Sequence, residues 1–167
     1  MKSHILILYL SRMKTDDTFM IKAIEVARKC FEIWEYPIWA VIVRDDKIIG
    51  IWESRQRRDE DPTAHAEMVA IRDACKNINS RSLKWCVIYT TQECCPMCAA
   101  AIVWAKMDGI VFGAYSEDTK WKWSDTLSWR QIWIPCREVL DKSYPKTELV
   151  EWFMRDECKE LITISSE

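Results

Sequence analysis

The sequence predicts an α/β fold in which helices pack on the faces of a mixed β-sheet. The predicted elements follow the order helix, then ββαβαβ, and helical crossovers between the later strands are typical of parallel strand pairs. With 49% apolar residues, the 167-residue chain can bury one sizeable core. No internal repeat or linker divides it. We therefore expect one domain over residues 15–167, preceded by an N-terminal extension at residues 1–14.

The N-terminal extension contains an apolar run at residues 5–10. Such a run is too short to cross a bilayer, which takes about 20 helical residues. It is not followed by the small-residue cleavage site of a secretory signal. We expect a short added strand or a loose extension, and Met13 could equally be the natural start.

The first helix is predicted from about residue 16 to residue 34. Its apolar residues recur at spacings of three and four, which is typical of an amphipathic helix. These residues are Met20, Ile24, Ala27, Phe31 and Trp34. Two β-rich runs follow at 38–43 and 47–52, and Asp45-Asp46 between them predicts a hairpin, although the turn lacks glycine.

The later elements begin after a polar loop at residues 53–61. Asp61 as N-cap and Pro62 at the first helical position predict a helix that runs to about residue 77. The other predicted elements are a strand at 83–91, a helix at 97–107 opened by Pro96, a strand at 109–115 and a final helix at about 152–162. Residues 116–143 lack a clear pattern and suit a substrate-facing loop or an irregular helix.

The charge balance argues against a surface built broadly for nucleic acid. Lys and Arg number 24 against 26 Asp and Glu, which gives a formal charge of −2. A local basic patch remains compatible with this balance. The eight cysteines do not imply a disulfide scaffold, because the core is large enough without cross-links. We expect a reducing, cytoplasmic setting and no membrane partner.

Two short motifs place metal-binding side chains near the starts of two predicted helices. His65 belongs to the first motif, and Cys95 and Cys98 belong to the second. Two cysteines at this spacing can bind one cation, and an imidazole from a neighbouring helix can complete a three-ligand face. Sulfur and nitrogen ligands select zinc over magnesium or calcium, and three protein ligands leave a fourth position for water.

Glu67 is the candidate proton-transfer residue. Two residues after His65 on a helix, it cannot share the direction of the histidine side chain, so we expect it beside the water rather than on the metal. A carboxylate there can accept a proton and deliver it to a leaving amine, which predicts hydrolytic deamination. Each motif alone is weak, since Cys-x-x-Cys also occurs in structural zinc sites and redox pairs. Their combination favours catalytic zinc.

At these residues the chain resembles the cytidine deaminase-like superfamily of zinc-dependent nucleobase and nucleoside deaminases. Residues 61–67 (Asp-Pro-Thr-Ala-His-Ala-Glu) and 90–102 (Thr-Thr-Gln-Glu-Cys-Cys-Pro-Met-Cys-Ala-Ala-Ala-Ile) carry the resemblance. They are most similar to guanine deaminases and bacterial tRNA adenosine deaminases. The resemblance implies a three-layer α/β/α sandwich around a central mixed five-stranded sheet, usually dimeric. The site residues it implies are the zinc ligands His65, Cys95 and Cys98 and the proton shuttle Glu67.

Two positions depart from the family pattern. Cys94 stands where the motif has proline, and its sulfur in the fourth coordination position would exclude water and make the site structural. Ser54 stands where this branch carries an asparagine that hydrogen-bonds the base, and its hydroxyl reaches less far. The further candidates for substrate contacts are Trp39, Ala66, Asp118, Trp123 and Asp125.

The chain has three glycines but ten tryptophans, which is unusual because turns and helix ends commonly use glycine. Aligned by eye with the same family, Trp39 falls at a glycine position in a strand. The other tryptophans at such positions are Trp34, Trp52, Trp85 and Trp152, whereas Trp104 matches an aromatic position. Either the source organism reads UGA as glycine and this translation inserted tryptophan, or the tryptophans fill a large core. Trp39 could also plug the substrate pocket.

Three functions remain open at this stage. Deamination of a free base or nucleoside, with guanine first, suits the slight net acidity because a free base needs no phosphate-binding surface. Deamination of adenosine at the tRNA wobble position requires basic residues near the site, and Arg55, Arg57 and Arg58 could supply them. The third function is a zinc-stapled interaction domain without catalysis. We expect a homodimer if the chain is an enzyme of this family.

Overall fold

The computed structural model describes residues 15–29, 36–118, 132 and 134–164. The helices within these ranges are α1 (Asp17–Lys29), α2 (Ala66–Asn77), α3 (Pro96–Trp104), α4 (Cys136–Asp141) and α5 (Arg155–Ile164). The strands are β1 (Trp39–Arg44), β2 (Lys47–Glu53), β3 (Cys86–Gln92), β4 (Gly109–Ala114) and β5 (Glu148–Val150). A short 3-10 helix covers Ser116–Asp118. In the described residues no helix is long and apolar enough to cross a membrane.

The five strands form one mixed sheet in the order β2-β1-β3-β4-β5. β1 pairs antiparallel with β2 and with β3, whereas β4 pairs parallel with β3 and with β5. The predicted mixed five-stranded sheet is therefore confirmed. The sequence did not locate β5, and α4 lies within the stretch that was expected to be a loop or an irregular helix.

Helices cover both faces of the sheet, which confirms the three-layer sandwich. One core cluster joins the sheet to α2, α3 and α4, and we call this side the site face. A second cluster joins the sheet to α1 and α5 on the opposite face. Neighbouring residues of β1 alternate between the two clusters, since Ala40 belongs to the first and Val41 to the second.

The β1–β2 hairpin forms as predicted, and its turn manages without glycine. Asp45 and Asp46 have φ angles of 50° and 57°, the left-handed conformation that tight hairpin turns require. Aspartate tolerates this conformation better than most residues. Gly50 in β2 serves another purpose, because a Cβ there would lie 2.7 Å from the carbonyl oxygen of Ala70 in α2.

Two predicted helix starts are corrected. α2 begins at Ala66 rather than at Pro62, because Asp61 forms a local turn in which its carboxylate accepts a hydrogen bond from the backbone N–H of Thr63 at 2.7 Å. α5 begins at Arg155 rather than at 152. Trp152 has a φ of 65°, which a right-handed helix does not accommodate. The predicted end of α1 at 30–34 lies outside the described residues.

The tryptophans at predicted glycine positions differ among themselves. Trp85 has a φ of 63° and Trp152 a φ of 65°, and both side chains are largely exposed. That backbone conformation favours glycine. Trp39 is instead buried in the core between the sheet and α1, and Trp52 packs against the cluster of the site face. Trp34 lies outside the described residues.

Candidate active site

The starts of α2 and α3 bring the predicted metal ligands together. His65 is the N-cap residue of α2 and Cys95 is that of α3, both with extended backbone angles. Neither side chain forms a capping hydrogen bond with its helix, so each can bind a metal ion. Cys98 follows in the first turn of α3 on its buried side. The positive ends of both helix dipoles favour thiolates here.

The three side chains have the spacing of a tetrahedral zinc site. His65 Nδ1 lies 3.6 Å from the Sγ atoms of both Cys95 and Cys98. All three ligand atoms lie within 4.8 Å of one another. Zn–S bonds of about 2.3 Å and Zn–N bonds of about 2.1 Å at the tetrahedral angle place nitrogen and sulfur about 3.6 Å apart. The donor set and its geometry therefore both fit zinc.

The two thiols differ in how readily they lose a proton. A hydrogen bond from Cys98, helped by one from His65, lowers the pKa of Cys95 to about 4. The same hydrogen bond and burial raise the pKa of Cys98 well above its ordinary value. Cys95 is thus a thiolate at neutral pH, and a cation that binds between the sulfurs would displace the proton of Cys98.

Glu67 is buried beside these ligands with only 3% of its surface exposed. Burial raises the pKa of its carboxyl group, although the neighbouring His65 charge acts in the opposite direction. A carboxyl group with a raised pKa can hold a proton at a pH where an exposed glutamate cannot. Its position and titration both suit a group that accepts and returns a proton during a reaction.

A cleft lies over the metal ligands and Glu67. It has a cavity volume of about 80 Å³ and is partly open to solvent. Its lining residues include two of the sequence-predicted substrate contacts, Ser54 and Ala66. Those that sequence analysis missed are Ile38, Gln56, Gln92, Glu93 and Ser116. The position of Gln92 and Glu93 immediately before the cysteine motif was a usable signal for two of these.

Glu93 connects the cleft to the segments that follow β4. Its carboxylate accepts a hydrogen bond from the backbone N–H of Cys136 at 2.9 Å and another from that of Ser116 at 3.3 Å. These bonds join the end of β3 to the first residue of α4 and to the 3-10 helix. Glu93 therefore fixes the wall of the cleft next to the metal ligands.

Two other predicted substrate contacts, Trp39 and Asp118, are not among the residues that line the cleft in the described part of the chain. Trp39 is 8% exposed and belongs to the core of the opposite face. The strand pleat directs the side chain of Ile38, rather than that of Trp39, to the cleft. This corrects the expectation that Trp39 contacts or plugs the pocket. Trp123 and Asp125 lie outside the described residues.

Asp118 stabilises the fold rather than lining the cleft. Its carboxylate accepts hydrogen bonds from Arg155 Nε at 2.9 Å and Nη2 at 2.7 Å, and from the backbone N–H of Tyr115 at 3.0 Å. The Arg155 guanidinium holds the pKa of Asp118 below its usual value. Asp118 thus ties the 3-10 helix to α5, which corrects its assignment as a substrate contact.

Cys94 does not join the metal cluster in the described residues, which consists of His65, Cys95 and Cys98. Its thiol is fully buried and hydrogen-bonded to Cys136, which together with burial raises its pKa well above the ordinary value. Cys94 also hydrogen-bonds to Glu67. The sulfur of Cys94 therefore does not supply a fourth ligand. A structural zinc site would require four protein ligands.

The fold and the site define a class of protein, an α/β/α sandwich with a zinc-binding site at the starts of two helices. Residues 13–114, more than half of the chain, match the family model for the cytidine and deoxycytidylate deaminase zinc-binding region. The chain belongs to this family. The match explains why one histidine and two cysteines lie beside a buried glutamate at two helix starts, and it identifies zinc as the cofactor.

Relatives within the family include enzymes of two kinds. The tRNA-specific adenosine deaminase of Bacillus subtilis is 39% identical over 115 residues, which is 69% of this chain and 70% of that protein. The guanine deaminase of the same species is 38% identical over 103 residues, 61% of this chain and 66% of that protein. The chain spans 8% of a chloroplastic tRNA(adenine(34)) deaminase from Arabidopsis thaliana and 64% of the Aquifex aeolicus tRNA-specific enzyme.

A solved structure agrees over a longer stretch. A chain from a study of A-to-I editing by tRNA:A34 deaminases superposes with a TM-score of 0.72 at 30% identity. The superposition covers 87% of this chain and 99% of that chain. The similarity therefore extends well beyond the zinc-binding segment, to the elements that follow β4.

Proposed function

We propose that this chain deaminates adenosine at the wobble position of tRNA and converts it to inosine. The observation that carries the proposal is the extent of similarity. The tRNA-specific relative from Bacillus subtilis aligns over more of both chains than the guanine deaminase does. The solved tRNA:A34 deaminase chain is covered almost completely. The proposal replaces guanine deamination as the first interpretation.

In this proposal His65, Cys95 and Cys98 hold zinc, and bound zinc supplies Lewis-acid chemistry that makes water a nucleophile at neutral pH. Glu67 accepts a proton from the attacking water as a C–O bond forms at C6 of the base. It then returns the proton to the exocyclic nitrogen, the C6–N6 bond breaks and ammonia leaves. The apolar Ile38 and the buried Glu93 bound the cleft around the base.

The loop between β2 and α2 contains Arg55, Arg57 and Arg58. It lies at the cleft, because Gln56 within it lines the wall. Arg58 pairs with Glu53, and Arg55 pairs with Asp59 at 2.8 Å. Arg57 stacks on the Tyr36 ring, 4.4 Å from its centroid. Arginine and tyrosine are groups on which RNA bases and phosphates bind. A local RNA contact is therefore compatible with the overall charge of −2.

A homodimer through α3 is the assembly that we propose. This nine-residue helix carries no charged side chain and is apolar around its circumference. Such a helix is normally buried on all sides, yet Trp104 at its end is 85% exposed. A second copy of the chain would cover this face. Sedimentation of the unmodified chain and of Trp104→Glu tests this proposal, and we expect a dimer only for the unmodified chain. A cytoplasmic location is also part of the proposal.

The experiment that tests the function supplies the zinc-loaded protein with five substrates. These are an anticodon stem-loop RNA with adenosine at the wobble position, free adenosine, guanine, guanosine and cytosine. We expect ammonia and inosine from the stem-loop, and none from a control stem-loop with guanosine at that position. Ammonia from guanine alone would overturn the proposal in favour of a guanine deaminase. Bound zinc without ammonia from any substrate would favour the interaction domain.

A further inference from the structure

The 3-10 helix forms part of the cleft wall and is held at both of its ends. Ser116 at its start lines the cleft, and the backbone N–H of this residue donates a hydrogen bond to the Glu93 carboxylate at 3.3 Å. Asp118 at its end accepts two hydrogen bonds from Arg155 of α5, at 2.7 and 2.9 Å. Glu93 and Arg155 therefore hold the same short element, one from the metal site and one from the opposite face of the sheet.

Both contacts depend on a buried carboxylate. Glu93 is 7% exposed, and the side chain of Asp118 is 9% exposed. Hydrogen bonds to a charged group contribute about 1.5–3 kcal/mol, more than bonds between neutral groups. Asp118 also accepts a hydrogen bond from the backbone N–H of Tyr115 at 3.0 Å. A 3-10 helix of three residues has few hydrogen bonds of its own, so its position depends on these two carboxylates.

The backbone of Glu93 is fixed independently of the 3-10 helix. Its N–H donates a hydrogen bond to the carbonyl oxygen of Ala114 at 2.8 Å, between the ends of β3 and β4. The other carboxylate oxygen of Glu93 accepts a hydrogen bond from the backbone N–H of Cys136 at 2.9 Å. Loss of the contact to Ser116 would therefore move the cleft wall and leave the metal ligand Cys95, two residues after Glu93, in place.

We propose that Glu93 and Arg155 are positioning residues that hold the 3-10 helix at the cleft and thereby set the affinity for the substrate. The inference rests on the proposed function for the identity of the substrate. Arg155 is not among the residues that line the cleft in the described part of the chain, so it acts through Asp118. The chemistry belongs to Glu67 and the metal ligands, and we expect the two positioning residues to affect KM rather than kcat.

The first test is the steady-state kinetics of Glu93→Gln on the stem-loop with adenosine at the wobble position. Both partners of the carboxylate, at Ser116 and Cys136, are N–H donors. An amide in its place turns an NH2 group toward one of them, so one hydrogen bond to a charged group is lost. We expect KM to rise about tenfold, with kcat changed by less than about twofold. Equal falls in kcat and zinc content would mean a merely structural role and would overturn the proposal.

Arg155→Met tests the same wall from the surface. The side chain of Arg155 is 42% exposed, so this variant decides the proposal even if Glu93→Gln does not fold. We expect KM to rise about threefold, because Lys159 lies 3.6 Å from the Asp118 carboxylate and keeps part of the attraction. The double variant should resemble Glu93→Gln, since the end of the helix no longer sets the position of Ser116 once the start is released. Multiplied effects in the double variant would contradict a shared element.

A second measurement reports the wall directly and does not depend on activity. Hydrogen exchange of the Ser116 backbone amide is followed by NMR in the zinc-loaded proteins without substrate. Both variants should accelerate this exchange, because an amide loses protection when the structure that holds it opens. Unaltered exchange would overturn the contacts as the cause, and faster exchange with unaltered KM would overturn the positioning role.

Two matched controls remove similar contacts away from the cleft. The Asp108 carboxylate also accepts a hydrogen bond from the backbone N–H of a distant residue, Trp85 at 2.9 Å, but it does so before the start of β4. Arg28 also pairs with a carboxylate, that of Glu160 in α5 at 3.5 Å. Asp108→Asn and Arg28→Met should leave KM and the exchange of Ser116 unchanged. A rise in KM equal to that of the test variants would indicate a general loss of stability and would overturn the proposal.

Turnover by the unmodified protein separates this inference from the proposed function. If the stem-loop is deaminated and KM is unaltered in Glu93→Gln and Arg155→Met, the positioning role alone fails. If ammonia comes from guanine instead, the proposed function fails, and the same variants are assayed on guanine with the same rise in KM expected. If neither substrate releases ammonia, both proposals fail.

Discussion

The two faces of the sheet are packed with buried side chains of different size. On the site face, the described cluster of buried residues around α2, α3 and α4 has no aromatic member; its members from α2 are Ala66, Ala70 and Ala74, and the partly buried Trp52 packs against its edge. The core of the opposite face is built around Phe19, Trp39 and Tyr89. Ring contacts continue it, with Phe19 and Tyr89 centroids 5.5 Å apart and those of Tyr89 and Phe153 6.4 Å apart.

The small residues bring the helices that carry the ligands close to the sheet. The approach of α2 to β2 leaves no room for a Cβ at Gly50, which would lie 2.9 Å from that of Ala74 and closer still to the backbone of α2. His65 and Glu67 sit at the start of this helix, so their positions depend on that approach. On the site face, the close approach of α2 to the sheet fixes the positions of the metal ligands. On the opposite face, large buried side chains contribute mainly to the free energy of unfolding.

The largest effect is expected from a variant that removes proton transfer at the site face and leaves the packing of that face intact. Glu67→Gln keeps the shape of the side chain but cannot accept and return a proton. We expect kcat to fall by about 10²- to 10⁴-fold, with zinc content and melting temperature unchanged. The measurement is ammonia release by the zinc-loaded protein. Glu25→Gln on the exposed side of α1 is the control, and equal turnover by both variants would refute the proton-shuttle role.

Replacement of Trp39 by glycine removes a large buried side chain from the core of the opposite face. Trp39 is buried among α1 residues, and loss of a large core side chain costs about 3–5 kcal/mol. We expect the free energy of unfolding to fall by that amount, with zinc still bound. The measurement is denaturant unfolding with a zinc assay. A gain in stability would contradict the packing role and would favour glycine as the natural residue at this strand position.

Gly50→Ala fills the closest contact on the site face. The added methyl group would meet the backbone of α2, and overpacking of this kind costs about 1–3 kcal/mol. Because α2 carries His65, we also expect weaker zinc binding in a competition assay with a chelator. Lys47→Ala on the exposed start of the same strand should change the free energy of unfolding by less than about 0.5 kcal/mol. Unaltered zinc affinity in Gly50→Ala would separate the metal site from the packing of α2.

The chemistry of the site could be predicted from the sequence because its groups lie in two short motifs. The spacing of Cys95 and Cys98 within one helical turn is a local property, and a donor set of sulfur and nitrogen already selects zinc. The order of strands and helices likewise specified the mixed sheet. These features depend on residues close together in the chain.

The remaining features depend on contacts between distant segments. All residues of β1 up to Val43 are buried, so the apolar pattern did not reveal which face Trp39 joins. Asp61 and Pro62 have the signature of a helix start, but the local turn to Thr63 ends before α2 begins. β5 has three residues, too few for a period to show. The sequence likewise gave no sign that Gln56 lines the cleft, because its position there depends on how the loop before α2 folds back over the metal ligands.

The smallest effect sharpens the comparison outside both cores, at two exposed turns. Trp85 and Trp152 are 65% and 60% exposed and adopt left-handed backbone conformations that cost a non-glycine residue about 1–2 kcal/mol. Trp85→Gly and Trp152→Gly should each raise the free energy of unfolding by about 1 kcal/mol, since partial stacking of Trp85 under Arg44 and of Trp152 on Tyr115 offsets part of the strain.

Lys76→Gly is the control for these two variants. Lys76 is also exposed, but it lies in helical conformation in the last turn of α2, where glycine costs up to about 1 kcal/mol. Chemical denaturation of the three variants should therefore show two gains and one loss. Losses at all three positions would refute the strain argument. The coding DNA is an independent check on its origin: UGA codons at Trp85 and Trp152 would support glycine as the intended residue, and UGG codons would exclude it, although the strain at the two turns would remain.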